Sequence, residues 1–226
     1  MKKVAIALLG VLAAVSSCSF SVNFGSGKSI VCKGPVVDTE MTPGDFNAIV
    51  VNGSADLKFA PYATCGVVVT THEDALQYLD IHVEDGVLYI ETKDKVQLKT
   101  RTLDVYVGAP TLESVVVNGA SDASIVSIDQ DADLTICVNG AGDVDMENVR
   151  VPKLVFTVNG AADLDASGLD VEEISVNVNG AGDVDLSGRA GHATLSVSGA
   201  GDIDARELDC PSIDKSKAGV ASIRTR

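Results

Sequence analysis

Residues 134–146 read Leu-Thr-Ile-Cys-Val-Asn-Gly-Ala-Gly-Asp-Val-Asp-Met, and residues 154–166 and 174–186 repeat the pattern almost residue for residue. The shared core is a small apolar residue, Asn-Gly or Ser-Gly, one or two small residues, then Asp. It begins at Asn52, Asn118, Asn139, Asn159, Asn179 and Ser198, and the last five copies are spaced 21, 20, 20 and 19 residues apart. A fixed period near 20 residues is the signature of a solenoid whose coils stack on one another.

Each coil carries two short strands around a tight turn. Counting back from the motif Asn, the first, third and fifth residues are apolar: Leu134, Ile136, Val138; Leu154, Phe156, Val158; Ile174, Val176, Val178; and Ala193, Leu195, Val197 before Ser198. Period two means a strand with one buried face. The alternation resumes after the turn at Val144 and Met146, Leu164 and Ala166, Val184 and Leu186, Ile203 and Ala205. One coil of this length cannot bury such a face, whereas parallel strands stacked about 4.8 Å apart can. Asn-Gly is also the strongest hairpin signal, but a hairpin meander does not require identical residues at identical coil positions. The stack does, and it predicts a turn ladder of Asn118, Asn139, Asn159, Asn179 and Ser198, with amides bonded along the column.

Residues 62–108 break the period. They predict a strand at Val67–Thr71, a short helix at Glu73–Leu79, a hairpin turning at Asp85-Gly86 and a strand at Leu103–Val107, together covering or extending the N-terminal end of the stack. Lys217–Ile223 is a decayed seventh copy, with Ser222 at the Asp position, as expected of a terminal repeat.

The chain begins with Lys2 and Lys3, then an apolar run from Val4 to Val15, too short to span a bilayer, then Val15-Ser16-Ser17-Cys18. That ending resembles a bacterial lipobox. The expected organisation is a signal peptide over 1–17, a lipid anchor on Cys18 with a tether over 18–33, and one domain over 34–226. Within it, repeats start near 46, an insertion spans about 62–108 and regular coils run over 110–223. Several acyl chains on Cys18 anchor stably where one does not. Ser19 disfavours inner-membrane retention, and no acidic run follows Cys18, which favours the periplasmic face of the outer membrane over the cell surface. Loss of Lys2 and Lys3 takes the formal net charge from −15 to −17. That excludes binding to nucleic acid or anionic headgroups by general electrostatics. Four cysteines remain: Cys32, Cys65, Cys137 and Cys210. Export permits oxidation, and a Cys32–Cys65 bridge would close the N-terminal end.

Phe46-Asn-Ala-Ile-Val-Val-Asn-Gly, Val83-Glu-Asp-Gly-Val-Leu-Tyr-Ile90 and the repeated Val-Asn-Gly-Ala-Gly-Asp resemble the head-GIN-domain auto-transporter adhesins of Gram-negative envelopes, over roughly Phe46 to Ile223. The resemblance implies a single-stranded, right-handed parallel β-helix behind a lipoprotein or secretory signal, and it carries no catalytic residues. The expected class is all-β.

Two aspartate columns are the main candidate site. Asp122, Asp143, Asp163, Asp183 and Asp202 share one coil position, and Asp145, Asp165, Asp185 and Asp204 share another two residues on. Both should face outward. Carboxylates about 4.8 Å apart repel by about 1 kcal/mol per pair even in water. Two readings offset this: backbone N–H bonds to the carboxylates, which need no ligand, or bound Ca²⁺. Gly-Ala-Gly-Asp-Val-Asp is similar to the calcium-binding nonapeptide roll, but the period is 20 rather than 9. The expectation is no cofactor, with Ca²⁺ the alternative.

Enzyme readings find little support. His72, His82 and His192 lie in unrelated contexts, and neither Gly-x-Ser-x-Gly nor His-Glu-x-x-His occurs. Arg150, Arg189 and Arg206 sit at different coil offsets, so the basic column of a polysaccharide-cleaving β-helix is missing. Tyr62, Tyr78, Tyr89 and Tyr106 are the best candidates for a recognition surface. The function expected is a non-catalytic envelope lipoprotein, an adhesin-like scaffold for a protein or glycan. The alternatives are a calcium-dependent polysaccharide enzyme on the same scaffold and a periplasmic assembly or stress-response accessory.

Overall fold

The computed structural model describes residues 28–93 and 96–226. The expected signal peptide, Cys18 and most of the tether lie outside the described residues. The fold is a β-solenoid of about 6 turns, not a barrel, and 74% of it is strand.

The repeat sets the register. Asn52, Asn118, Asn139, Asn159, Asn179, Ser198 and Ala218 stand side by side on neighbouring parallel strands. Leu134, Ile136, Leu154, Phe156, Ile174, Val176, Ala193 and Leu195 are completely buried in one continuous core, as their period predicts. The corner is turned by glycine; at Gly160 φ is +152°, a conformation that L side chains rarely adopt.

The order of coils in space differs from their order in the chain. The Ala48–Gly53 strand pairs with Ser114–Ala120 on one side and with Val87–Thr92 on the other. Asp56–Pro61 likewise lies between Ala123–Val126 and Leu103–Ala109. After the first coil the chain therefore runs outward, builds an end coil from 87–109, and returns to the first coil's other side. Residues 62–108 both extend and cover the stack. Gly66–His72 runs antiparallel to Leu103–Ala109 and to Val36–Met41, and Leu79–Glu84 runs antiparallel to Val87–Thr92. The latter pair turns at Asp85 and Gly86, both at positive φ (50° and 79°), the two-residue hairpin form. Glu73–Tyr78 is a 3-10 helix.

At the C-terminal end the decayed copy pairs in register, with Ser222 beside Asp202. Lys215 and Lys217 occupy the positions that Leu195 and Val197 hold one coil earlier. Lys215 Nζ donates to Thr225 Oγ1 at 2.6 Å, from the inward column of one sheet to that of the other. Its methylene stem can cover the last apolar layer while the charge reaches water.

The Cys32–Cys65 bridge that the sequence allows is not formed. The two residues serve different elements. Cys32 donates its N–H to the Lys99 carbonyl, beside the small Lys28–Val31/Val96–Lys99 sheet, and the Cys65 thiol packs against the Phe46 amide at 3.4 Å. Burial, and then the Asp74 charge, raise the Cys32 thiol pKa.

Candidate recognition surface

The Asn column is a ladder of one polarity. Asn179 Nδ2 donates to Asn159, Asn159 to Asn139, Asn139 to Asn118 and Asn118 to Asn52, at 2.9–3.1 Å. Asn52 then donates to Glu91 Oε2 at 2.8 Å. Glu91 stands where the end coil would carry its own Asn, so the ladder of amides finishes on a carboxylate. Half-buried amides need such partners, and here each supplies the next.

The aspartates face outward as expected, and in the first column backbone N–H groups answer three of the carboxylates. Asp143 N–H donates to the Asp122 carboxylate at 3.0 Å, Asp183 N–H to Asp163 at 2.7 Å and Asp202 N–H to Asp183 at 3.1 Å. Arg224 closes that column on Asp202 at 2.8 Å. The second column runs Asp145, Asp165, Asp185, with Asp204 next to Arg224 in register, and begins beyond Ser124 at Lys58. Arg206 holds the Asp204 carboxyl down at about 2 by bonding its oxygens and donating its own N–H. Asp185 has no such cation; burial, then the charges of Asp204, Asp165 and Asp183, raise its pKa.

The sign of each shift follows. Asp204 titrates below its ordinary value, so its contribution is complete above that value and is lost as pH falls toward 2. Asp185 titrates above its ordinary value, so its charge opposes folding at neutral pH and stops doing so in acid. Asp185→Asn is therefore expected to raise the melting temperature at about pH 7 and to leave it unchanged at about pH 3, where the carboxyl is protonated in both states. An equal gain at both pH values would contradict this origin.

The four tyrosines do not form one surface. Tyr78 is half-buried at the end of the 3-10 helix, and Tyr89 stacks on His82 with ring centres 5.2 Å apart. Tyr62 and Tyr106, 69% and 44% exposed, meet in a groove of about 600 Å³ walled by Phe59, Val67, Met41 and Lys58. Three features fix their places. Tyr62 N–H donates to the Ala109 carbonyl at 3.0 Å, and a Cβ at Gly108 would come within 2.9 Å of the Tyr62 Cβ, so glycine leaves the ring its room. Lys58 Nζ sits 4.8 Å from the centre of the Tyr106 ring while bonding Asp104 at 2.7 Å. Asp104 in turn raises the Lys58 pKa, so its charge persists at neutral pH. Lys58 was the residue missed from sequence, although its place at the end of an outward acidic column was a signal for it.

The fold is similar to several solved structures. A putative lipid binding protein from Parabacteroides distasonis superposes with a TM-score of 0.75 at 19% identity, over 88% of this chain and 100% of that one. A putative adhesin from Bacteroides fragilis gives 0.66 at 15% identity, over 87% and 100%. One from Parabacteroides merdae gives 0.52 at 18% identity, over 88% and 99%. No curated protein sequence matches the chain. A family model matches residues 45–226, nearly the whole solenoid, and by that match the chain belongs to the family described as putative auto-transporter adhesin, head GIN domain.

Proposed function

We propose that this chain is an exported envelope lipoprotein, anchored through Cys18 on the periplasmic face of the outer membrane. Its solenoid is a non-catalytic scaffold, and its partner, a protein or glycan, binds in the Tyr62–Tyr106 groove. The observation that carries this reading is the pair of exposed tyrosines in one groove of about 600 Å³. Tyrosine presents a large apolar face with a polar tip and loses little freedom on binding, which is why it dominates recognition surfaces. The rigid sheet holds both rings in place before a partner arrives, which lowers the entropic cost of binding. The adhesin description of the family agrees with a binding role. No histidine lies in the groove, and among the described residues His72 and His192 are engaged elsewhere, with Gly34 and Ser212.

The test is a panel of glycans, matrix and envelope proteins and phospholipid vesicles, with Tyr62→Ala and Tyr106→Ala alongside the unaltered protein. One class of partner should bind, and each substitution should weaken it by about tenfold or more. Both rings are exposed, so melting temperatures should hold. A partner bound equally by all three proteins would move the site off the groove.

A further inference from the structure

We propose that Asp80, His82 and Glu91 form a binding site for a divalent transition metal ion, with Zn²⁺ the best match. Among the described residues, these three each offer a ligand atom, all within 4.8 Å of one another. The aspartate columns contribute none of them.

The hairpin places the three residues. Its turn at Asp85 and Gly86 sets Asp80 directly opposite Glu91 and His82 directly opposite Tyr89. Like charges directly opposite on antiparallel strands destabilise the pair. No Lys or Arg among the described residues lies within 4.0 Å of either carboxylate; the ion-pair partner present is His82 itself, whose Nδ1 is 3.1 Å from Asp80 Oδ1. In the first aspartate column, Asp122, Asp163 and Asp183 accept backbone N–H groups and Asp202 pairs with Arg224. This pair has an imidazole.

The surroundings hold the ligands as metal sites require. Asn52 donates to Glu91 Oε2 at 2.8 Å, and Asn52 is itself held by the amide ladder behind it, so the carboxylate is oriented from outside the cluster. The His82 ring is fixed by its stacking on Tyr89, with 15° between the planes. The Leu79–Glu84 strand is the last in its sheet, so water can supply a fourth ligand from the open side.

The donor set selects the ion. One imidazole with two carboxylates and water suits Zn²⁺ in tetrahedral coordination, at about 2.0–2.2 Å from each ligand. Ca²⁺ takes about 6–8 oxygens and has no preference for imidazole. Binding the ion would draw these ligand atoms, now within 4.8 Å of one another, closer together by rotation of the two carboxylate side chains.

The experiment is a calorimetric titration of the purified, metal-free protein with Zn²⁺, repeated with Ca²⁺ and followed by optical spectroscopy with Co²⁺. One Zn²⁺ per chain should bind, Ca²⁺ should not displace it, and the Co²⁺ spectrum should show a low-coordinate site. His82→Ala and Glu91→Gln should each cost at least about tenfold in affinity, since even outer partners of metal ligands are worth about 10–100-fold. Asp185→Asn should bind as the unaltered protein does. Melts recorded without metal establish that both variants fold; if either does not, Asp80→Asn takes its place. Absence of stoichiometric Zn²⁺ binding, or binding that survives His82→Ala, would overturn the proposal.

Discussion

Gly160→Ala is expected to destabilise the protein by more than about 3 kcal/mol, enough to unfold the middle of the stack near physiological temperature. Two costs combine. Gly160 has a φ of +152°, and holding an L residue there costs about 1–3 kcal/mol by itself. The added Cβ would also stand 2.0 Å from the Gly140 carbonyl oxygen and 3.0 Å from its carbonyl carbon. Those are backbone atoms of the neighbouring coil, so no side chain can swing away. Relief requires the two coils to separate at the corner, where Asn159 donates to Asn139 at 2.9 Å. Gly53 provides the control. Its φ is +135°, but nothing lies within 4 Å of an added Cβ, because no Asn-Gly corner precedes it in the stack. Gly53→Ala should therefore show the conformational cost alone. Urea melts of the two variants decide the matter, and equal losses would mean that close stacking of the corners is not what selects glycine.

Phe156→Ala should cost about 3–5 kcal/mol, the usual range for deleting a buried aromatic ring. Phe156 heads the largest fully buried side chains, with no exposure, and stands between Ile136 and Val176 in the inward column. The coils above and below fix the backbone spacing, so the cavity cannot close by collapse. Solenoid stability is a sum over coils and their interfaces. The loss should therefore appear as an early transition of the central coils as well as a lower midpoint. A loss below about 1 kcal/mol would show that the core there is loosely packed.

These two sites also show how far the sequence could be read. Gly160 and Phe156 belong to the repeat, where each column is written several times over, so period, inward faces and the asparagine ladder were all legible. The position of the first coil was not. The sequence did place residues 62–108 at the N-terminal end of the stack, but Asn52 lies between Glu91 and Asn118, and nothing in the repeat says that the outer coil will carry glutamate in the asparagine place. The alternation of Val87 to Ile90 matches that of Ala48 to Val51 and was the available signal. For the aspartates, their outward direction followed from the register, while their partners did not. A carboxylate bonded to the N–H of the next coil depends on the exact corner geometry, as between Asp163 and Asp183. The four tyrosines divide between separate places because nearness in sequence is not nearness on a solenoid. Tyr62 and Tyr106 meet through strands paired in parallel, while the hairpin turns Tyr89 onto His82. Pairing across that hairpin could have been counted outward from Asp85-Gly86, and the opposition of Asp80 and Glu91 would then have been visible.

The most direct test of the groove as the binding surface is photo-crosslinking in the native envelope. A benzophenone amino acid would replace Tyr62, Tyr106 or, as a control on the acidic face, Asp165. Adducts with one partner should form at positions 62 and 106 and be absent at 165. Adducts at 165 with none at 62 or 106 would place recognition on the aspartate columns and contradict the account.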